Sequence, residues 1–512
     1  MHTILKRMVC LTLAFAALFL SFAEAESLSG VSVESAPFSQ ASASQNGMVR
    51  VYLSSLGSPS SVSLTISGSY SLSNGTALSS GETLSVSFSG STGAITLTRG
   101  GASYSMGSVF SLRRHSTTGS NGVKIAQARK PGNLYPGDIE FRAVAQSSGY
   151  KLYVIAHIYI EDYLYGVVPY EMGSSAPMEA LKAQAVAART YTVRMMSARS
   201  SWAYDVVDTT GDQTYNGTPA TVSSCNTAVD QTKGILLKNG SAYTATYYSS
   251  SNGGQTESIK NAWGTSGYDY LGVKDDPFDY ANPASVVKQT TVYETASSSS
   301  NNASLMSLLK IKAVAALGSA GYNATASNTA LQTVKSITAH TPKYASPSRL
   351  YTKMDITLSV TTYNASNVFV SFTTTVTCDI FSELESMLGL GIQTGQNELW
   401  SVVDADGSFQ IQARRYGHGL GMSQRGAMYM GQLGFTYDEI LGFYYPGSMR
   451  VGCIFTNTIL AANSSETITT SEDPVDVEGN STGTAVRGIV TLANDAQLAV
   501  RNAKSGTASV LT

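Results

Sequence analysis

The sequence predicts an α+β protein, with β-rich subdomains packed around a central buried helix and an active site in a cleft. Apolar and polar residues alternate in short runs punctuated by Ser, Gly and Asn, the period-two pattern of strands joined by turns. One later stretch, Met178 to about Met196, holds good helix formers throughout and is apolar or small almost all round. A helix without a polar half belongs inside a protein. Charged residues are 13% of the 512, well under the roughly 25% of an average soluble chain, so surface polarity has to come from Ser, Thr, Gly and Tyr.

At the amino end, Lys6 and Arg7 precede an apolar run from Met8 to Phe22 that closes at Ala23-Glu24-Ala25, a small-x-small cleavage signal. This predicts a signal peptide over 1–25, a flexible segment over 26–47 and a secreted protein. No later run approaches the roughly 20 apolar residues of a membrane-spanning helix, so no transmembrane anchor is expected. A net charge of −2 gives no sign of nucleic-acid binding.

The main domain is expected over 48–450. Its first strands are Val49 to Leu53, Ser61 to Ile66 and Leu84 to Phe88, followed by Ile139 to Val144 and Lys151 to Ile160. Gly166 to Pro169 ends the extended segment, and Pro177 suits the first turn of the long helix. That helix carries one stripe of Met178, Leu181, Ala185 and Ala188 and a second of Ala180, Ala183 and Ala187. Its polar residues Lys182, Gln184, Arg189 and Tyr191 then need partners. Strands resume at Gly234 to Leu237 and Ala242 to Tyr248, and a helix over about Ser304 to Leu317 precedes strands at Asp355 to Val360 and Val368 to Val376. Two helices close the domain, one over about Ser423 to Gly434 and one opened by Thr436-Tyr437-Asp438-Glu439, a capping box. Past Tyr445-Pro446-Gly447 the composition turns polar, and 463–484 reads as a linker.

Four separated blocks combine small or turn-forming residues with a few polar side chains: Tyr163 to Met172 with its helix, Asp208 to Tyr215, Tyr247 to Trp263, and Arg415 to Gln424. Glu171 stands out among them. Val167, Val168, Pro169 and Met172 would desolvate its carboxyl and favour the proton-donating form that a glycosidic general acid requires, while a nearby helix N-terminus would favour the anion. A carboxylate that merely complements the helix dipole is the competing reading. His418 lies between glycines, which excludes a helical His-x-x-x-His metal pair; a lone loop histidine also serves as a hydrogen-bonded structural residue. Ser423 sits in a Gly-Met-Ser-Gln-Arg-Gly run one residue too long for a nucleophile elbow. Ser249, Ser250 and Ser251 before Asn252-Gly253-Gly254 read first as turn residues. Tyr247, Tyr248, Trp263, Tyr416, Tyr444 and Tyr445 either stack on sugar rings or fill core. Beyond the leader, Cys225, Cys378 and Cys453 are odd in number and lack a CxxC spacing, so they read as small buried hydrophobes.

Three of these segments together resemble the stage II sporulation protein D / LytB amidase-enhancer family: Glu161 to Met172 (EDYLYGVVPYEM), Glu179 to Tyr191 (EALKAQAVAARTY) and Gly417 to Ala427 (GHGLGMSQRGA). The resemblance covers roughly Met48 to Gly447, more loosely before Asp138 and over Ser285 to Asp404. It implies a lytic transglycosylase acting on peptide-stripped peptidoglycan strands, or a non-catalytic helper of an N-acetylmuramoyl-L-alanine amidase. The family's Pro-x-Glu-Met glutamate falls on Glu171, which would protonate the oxygen linking N-acetylmuramic acid to N-acetylglucosamine and then take the proton of the muramic 6-hydroxyl, leaving an anhydro end. One carboxyl serves both steps, unlike the paired carboxylates of ordinary glycosidases.

The expected glycan-binding residues are Lys182, Gln184, Arg189, Tyr191, Tyr248, Ser250, Ser251, Gly253, Gly254, Tyr416, His418, Ser423 and Gln424. Lys182 and Arg189, two turns apart on one helix face, are candidates to meet the lactyl carboxylate of muramic acid or to hold Glu171, against a purely structural role. Some relatives hold zinc through His and Cys in the segment matching Val207 to Tyr215; this chain has neither there, so no metal and no cofactor is expected. The expected partners are peptidoglycan glycan strands and a cell-wall amidase, with the protein secreted and wall-associated. The end, 485–512, looks like the start of a truncated bacterial SH3-like wall-binding module.

Overall fold

The computed structural model describes residues 33–117 and 120–460, together with the strands Thr467–Thr470, Ala499–Arg501 and Ala508–Val510. The predicted signal peptide and most of the segments 463–484 and 485–512 lie outside the described residues. Among the described residues no helix is long and apolar enough to cross a membrane.

The elements that matter below are, in chain order, β1 (Phe38–Asn46), β2 (Met48–Tyr52), β3 (Gly137–Ala145), β4 (Tyr150–Tyr159), α1 (Ile160–Leu164), α2 (Val168–Glu171), α3 (Met178–Ala198) and β5 (Ile235–Asn239). They continue with β6 (Val287–Tyr293), α4 (Ala303–Ser319), β7 (Ala330–Pro342), β8 (Tyr351–Tyr363) and β9 (Phe369–Asp379). The last are β10 (Leu399–Ala405), β11 (Ser408–Arg414), α5 (Gln424–Gln432), α6 (Tyr437–Tyr444) and β12 (Met449–Leu460). The fold is α+β, and the chain divides into two compact units. One is built from residues on either side of an insertion, 33–246 and 435 onward; the inserted unit is 247–434.

In the discontinuous unit, β2, β4 and β3 are neighbours in a seven-stranded sheet, and a five-stranded sheet forms from residues between Ser61 and Ile125. The period-two reading holds in detail: along β2 the burial alternates, with Val49 and Val51 at 0% exposure. The extended segment ends earlier than the sequence predicts. It stops at Tyr159, and Ile160 starts α1, whose first turn carries Glu161 and Asp162 as acidic residues suited to a helix N-terminus. Fifteen of the 21 residues of α3 are buried, as its all-round small and apolar surface requires. The stretch 26–47, predicted to be flexible, contains β1, which pairs in parallel with β12; β12 in turn pairs antiparallel with β5. Thr467–Thr470, inside the predicted linker, extends β12 as an antiparallel partner. Ala499–Arg501 and Ala508–Val510 pair with each other inside 485–512.

The inserted unit holds a three-stranded sheet in the order β6-β11-β10 and an antiparallel meander β7-β8-β9. Leu305, Leu309, Ala313 and Leu317 of α4, each four residues from the next, join Met354, Ile356, Leu358 and Val360 of β8 in its core. Cys225, Cys378 and Cys453 form no disulfide among the described residues and are buried in their units.

Candidate functional site

Glu171 is the last residue of α2, a single turn started with Pro169 in its first positions. The turn before it needs Gly166, where a Cβ would sit 2.3 Å from the Tyr215 ring. Val167 and Val168 are fully buried and Met172 nearly so, while Glu171 itself is half-buried. The Thr214 backbone N–H donates to its Oε1 at 2.5 Å. Two opposing influences therefore meet at this carboxyl: apolar neighbours favour the acid, and the amide donor favours the anion. A group that first gives and then takes a proton needs both forms within reach.

Thr214 belongs to the strap Asp208 to Tyr215, and two buried carboxylates fix that strap. Asp208 accepts from the Ser54 hydroxyl at 3.0 Å and from the Ser55 N–H at 2.9 Å. Asp212 accepts from the Tyr191 hydroxyl at 2.6 Å, from Arg199 at 2.7 Å and from the Val207 N–H at 2.8 Å. Burial pushes the Asp208 carboxyl up, partly countered by its serine donors. Tyr163, packed behind the strap, donates to Gln213 at 3.2 Å. Burial first, and then the nearby charges of Asp212, Tyr215 and Glu171, hold its phenol well above the ordinary value. Among the described residues, no three His, Cys, Asp or Glu side chains converge as a metal site.

The polar residues of α3 depart from the sequence expectation. Arg189 is 0% exposed and holds Glu161, not Glu171: its Nε donates at 2.9 Å and a terminal nitrogen at 2.6 Å, with further contacts to the Val229 and Ile235 carbonyls. Gly234 N–H also donates to Glu161, at 3.1 Å. No face of the guanidinium is left for a lactyl carboxylate. Lys182 is likewise nearly buried, paired with Glu179 at 2.8 Å and set over the Tyr437 ring. Gln184 is fully buried and Tyr191 is tied to Asp212. The structural reading therefore describes Lys182, Arg189 and Tyr191, whose polar groups are consumed internally because leaving them unpaired is costly, while Gln184 is enclosed in the helix packing.

In the inserted unit, the loops around 247–257 and 415–425 are laced together. Ser251 and Tyr416 exchange backbone bonds at 3.1 and 2.9 Å, Met422 N–H donates to Tyr247 at 3.0 Å, and Glu257 N–H donates to Gly419 at 2.8 Å. Beneath them Arg415, fully buried at a φ of 97°, donates to the Asn252 and Gln255 carbonyls at 3.0 and 2.9 Å. Ser251 is also fully buried; its hydroxyl donates to Asp279 at 2.9 Å, and the Gly253 N–H reaches the same carboxylate at 2.7 Å. Gly253 and Gly254 adopt positive φ, which shapes the loop, and both also line a cavity of the inserted unit. Ser423 caps α5 by accepting from the Gly426 N–H at 3.1 Å, and Gln424 is nearly buried. Ser251, Ser423 and Gln424 are corrected from ligand contacts to loop-positioning residues.

Tyr248, Ser250, His418 and Tyr416 keep surface, Tyr416 being 49% exposed. The His418 Nδ1 accepts from the Leu420 N–H at 2.9 Å. Burial, reinforced by Arg415 and opposed by a hydrogen bond with the Tyr248 backbone, pulls the imidazole down to about 4, so it is neutral at neutral pH. Trp263, 48% exposed, packs edge-on against it at 5.3 Å and against Tyr247 at 4.7 Å. Of the aromatic residues weighed in the sequence, Tyr444 and Tyr445 are core, whereas Trp263 and Tyr416 offer open rings. Arg415, Glu257 and Asp279 were missed as site-building residues; their signal, a charge inside a glycine-rich block, is visible only once the two loops are paired.

Residues 148–238 match the family model described as Stage II sporulation protein, SpoIID. The chain is 33% identical over 310 residues to the amidase enhancer of Bacillus subtilis (strain 168), covering 56% of this chain and 40% of that protein. It is 28% identical over 310 residues to Stage II sporulation protein D of the same organism, covering 57% and 75%. An uncharacterized protein of Brachyspira hyodysenteriae is 29% identical over 295 residues, covering 57% and 67%. The match thus spans well under half of the amidase enhancer's own length. The family-model match over α3 and its flanks, together with similarity to both named kinds of relative, supports a likeness of this chain to the SpoIID/LytB family.

Proposed function

We propose that this chain is a secreted, wall-associated protein that cleaves peptide-stripped peptidoglycan strands as a lytic transglycosylase, with Glu171 as its single acid and base. The observation that carries the reading is the setting of Glu171: a half-buried carboxyl among Val167, Val168 and Met172, with a backbone amide from a pinned strap on one oxygen. As the acid it gives its proton to the oxygen between muramic acid and glucosamine; as the base it takes the muramic 6-hydroxyl proton while that oxygen closes on the anomeric carbon. Tyr416, Tyr248, Ser250 and Trp263 are the accessible groups for a sugar chain in the inserted unit.

The name of the amidase-enhancer relative favours a second reading, in which the chain binds wall glycan and stimulates an amidase without cutting. Mass spectrometry of products released from peptide-stripped strands separates the two. Glu171→Gln, still folded, is expected to lose anhydro-ended products by about 10²–10⁴-fold. Wild-type protein that yields no such ends, with amidase stimulation intact in both forms, establishes the second reading instead.

A further inference from the structure

Within the inserted unit, two strand edges face a common cavity. β7 ends the meander and β10 ends the β6-β11-β10 sheet, so each has one side outside any sheet pairing. Ile337 to Ala339 of β7 and Leu399 to Val402 of β10 line a cavity of about 670 Å³, within the usual range for ligand sites of roughly 300–1,000 Å³. The bridge that β7 makes to Thr295 lies further back, at Thr333. Backbone N–H and C=O groups on such edges are ready to pair with an added extended chain.

Two side chains of β10 point to a ligand independently of the backbone. Trp400 is 2% exposed, and its indole N–H has no acceptor among the described residues; the neighbouring Ser401 hydroxyl is buried and also lacks a partner there. A buried donor without an acceptor costs free energy that a bound acceptor returns. Charge adds a third requirement. Arg349, at the cavity, is neutralised by Asp275 at 3.0 Å. Arg414 makes no ion pair among the described residues; it lies 4.2 Å over the Tyr280 ring and donates to Gln412 and to the Tyr280 carbonyl. With that ring face occupied, a sugar has little to stack on, whereas a carboxylate has a cation to meet.

We propose that this cavity binds an extended peptide carrying a free carboxylate, its backbone adding to the edges of β7 and β10 and its carboxylate set on Arg414. The site does not use Glu171. The test immobilises the full chain and measures, by mass spectrometry, retention from three probes: a pool of randomised pentapeptides with free carboxyl ends, the same pool amidated and lacking Asp and Glu, and chitotetraose. The free-acid pool is expected to be retained at least about ten-fold better than the amidated pool. Arg414→Gln should remove that preference, and Thr338→Asp, an exposed edge substitution, should weaken retention by repelling the acid; melting curves show that both are folded. Glu171→Gln should retain the peptides like wild type whatever its effect on glycan cleavage. Equal retention of the two peptide pools, retention of chitotetraose alone, no retention, or full retention by both folded variants overturns the proposal.

Discussion

Glu161 and Glu171 lie ten residues apart on two short helices of one unit, and the protein treats them in opposite ways. Glu161 is 1% exposed and saturated by Arg189 and the Gly234 amide. Glu171 is half-buried, with Thr214 on one oxygen and part of its surface open. The first carboxylate is paired with a fully buried cation, so removing either partner leaves the other enclosed and unpaired. The second has no such bond to Arg189. The difference teaches that apolar surroundings alone do not set a glutamate apart: both carboxyls have them, and what distinguishes the two is that Glu161 is enclosed against a buried cation while Glu171 keeps open surface.

Breaking the buried pair should have the largest effect. Arg189→Ala should destabilise the discontinuous unit by about 3–5 kcal/mol, read as a lower urea midpoint, because Glu161 is left charged and enclosed. A loss below about 1 kcal/mol would remove the contrast.

The next effect is in pH. With His418 pulled from 6.5 down to about 4, the unfolded chain binds the proton first as pH falls. Its contribution to stability is therefore full above about 6.5 and is lost progressively toward about 4. Melting temperatures of wild type should fall more than those of His418→Gln between pH 6.5 and 4.5; parallel curves would show that the imidazole is not held neutral.

Smaller again are the caps. Ser423→Ala should cost about 1 kcal/mol through the Gly426 amide it leaves without its acceptor, and Thr436→Ala a similar amount by opening the capping box with Glu439. If Ser423→Ala instead weakens glycan binding with no change in stability, its assignment as a positioning residue fails. The smallest change should be in the stability of Glu171→Gln, within about 1 kcal/mol of wild type, since the residue is half-buried and the glutamine carbonyl can still accept from the Thr214 N–H.

How much was legible in the sequence depended on where each residue finds its partner. The long helix α3 and the capping box were readable because their determinants are local: all-round small and apolar side chains in one case, a four-residue pattern in the other. β1 was not, since its Ser, Ala and Gln composition carries no strand signal and its place comes from β12, some 400 residues away. The family motifs singled out Glu171, which the structure finds half-buried, but Arg189 read as a ligand contact because Glu161 and the β5 entry that consume it lie on other elements. The peptide cavity was invisible for the same reason: Trp400 and Ile337 become neighbours only through the register of two separate sheets.

The placement of β12 sets an order of events for a chain that emerges amino end first. β1 and β5 both await a strand that begins at Met449, so the discontinuous unit cannot close until the whole of 247–434 has passed. The strands of the inserted unit pair within 247–434 and do not wait for β12. Until then β1 and β5 carry edges without their β12 partner, and a holding factor that shields them during synthesis would shorten the interval in which they can stick to one another.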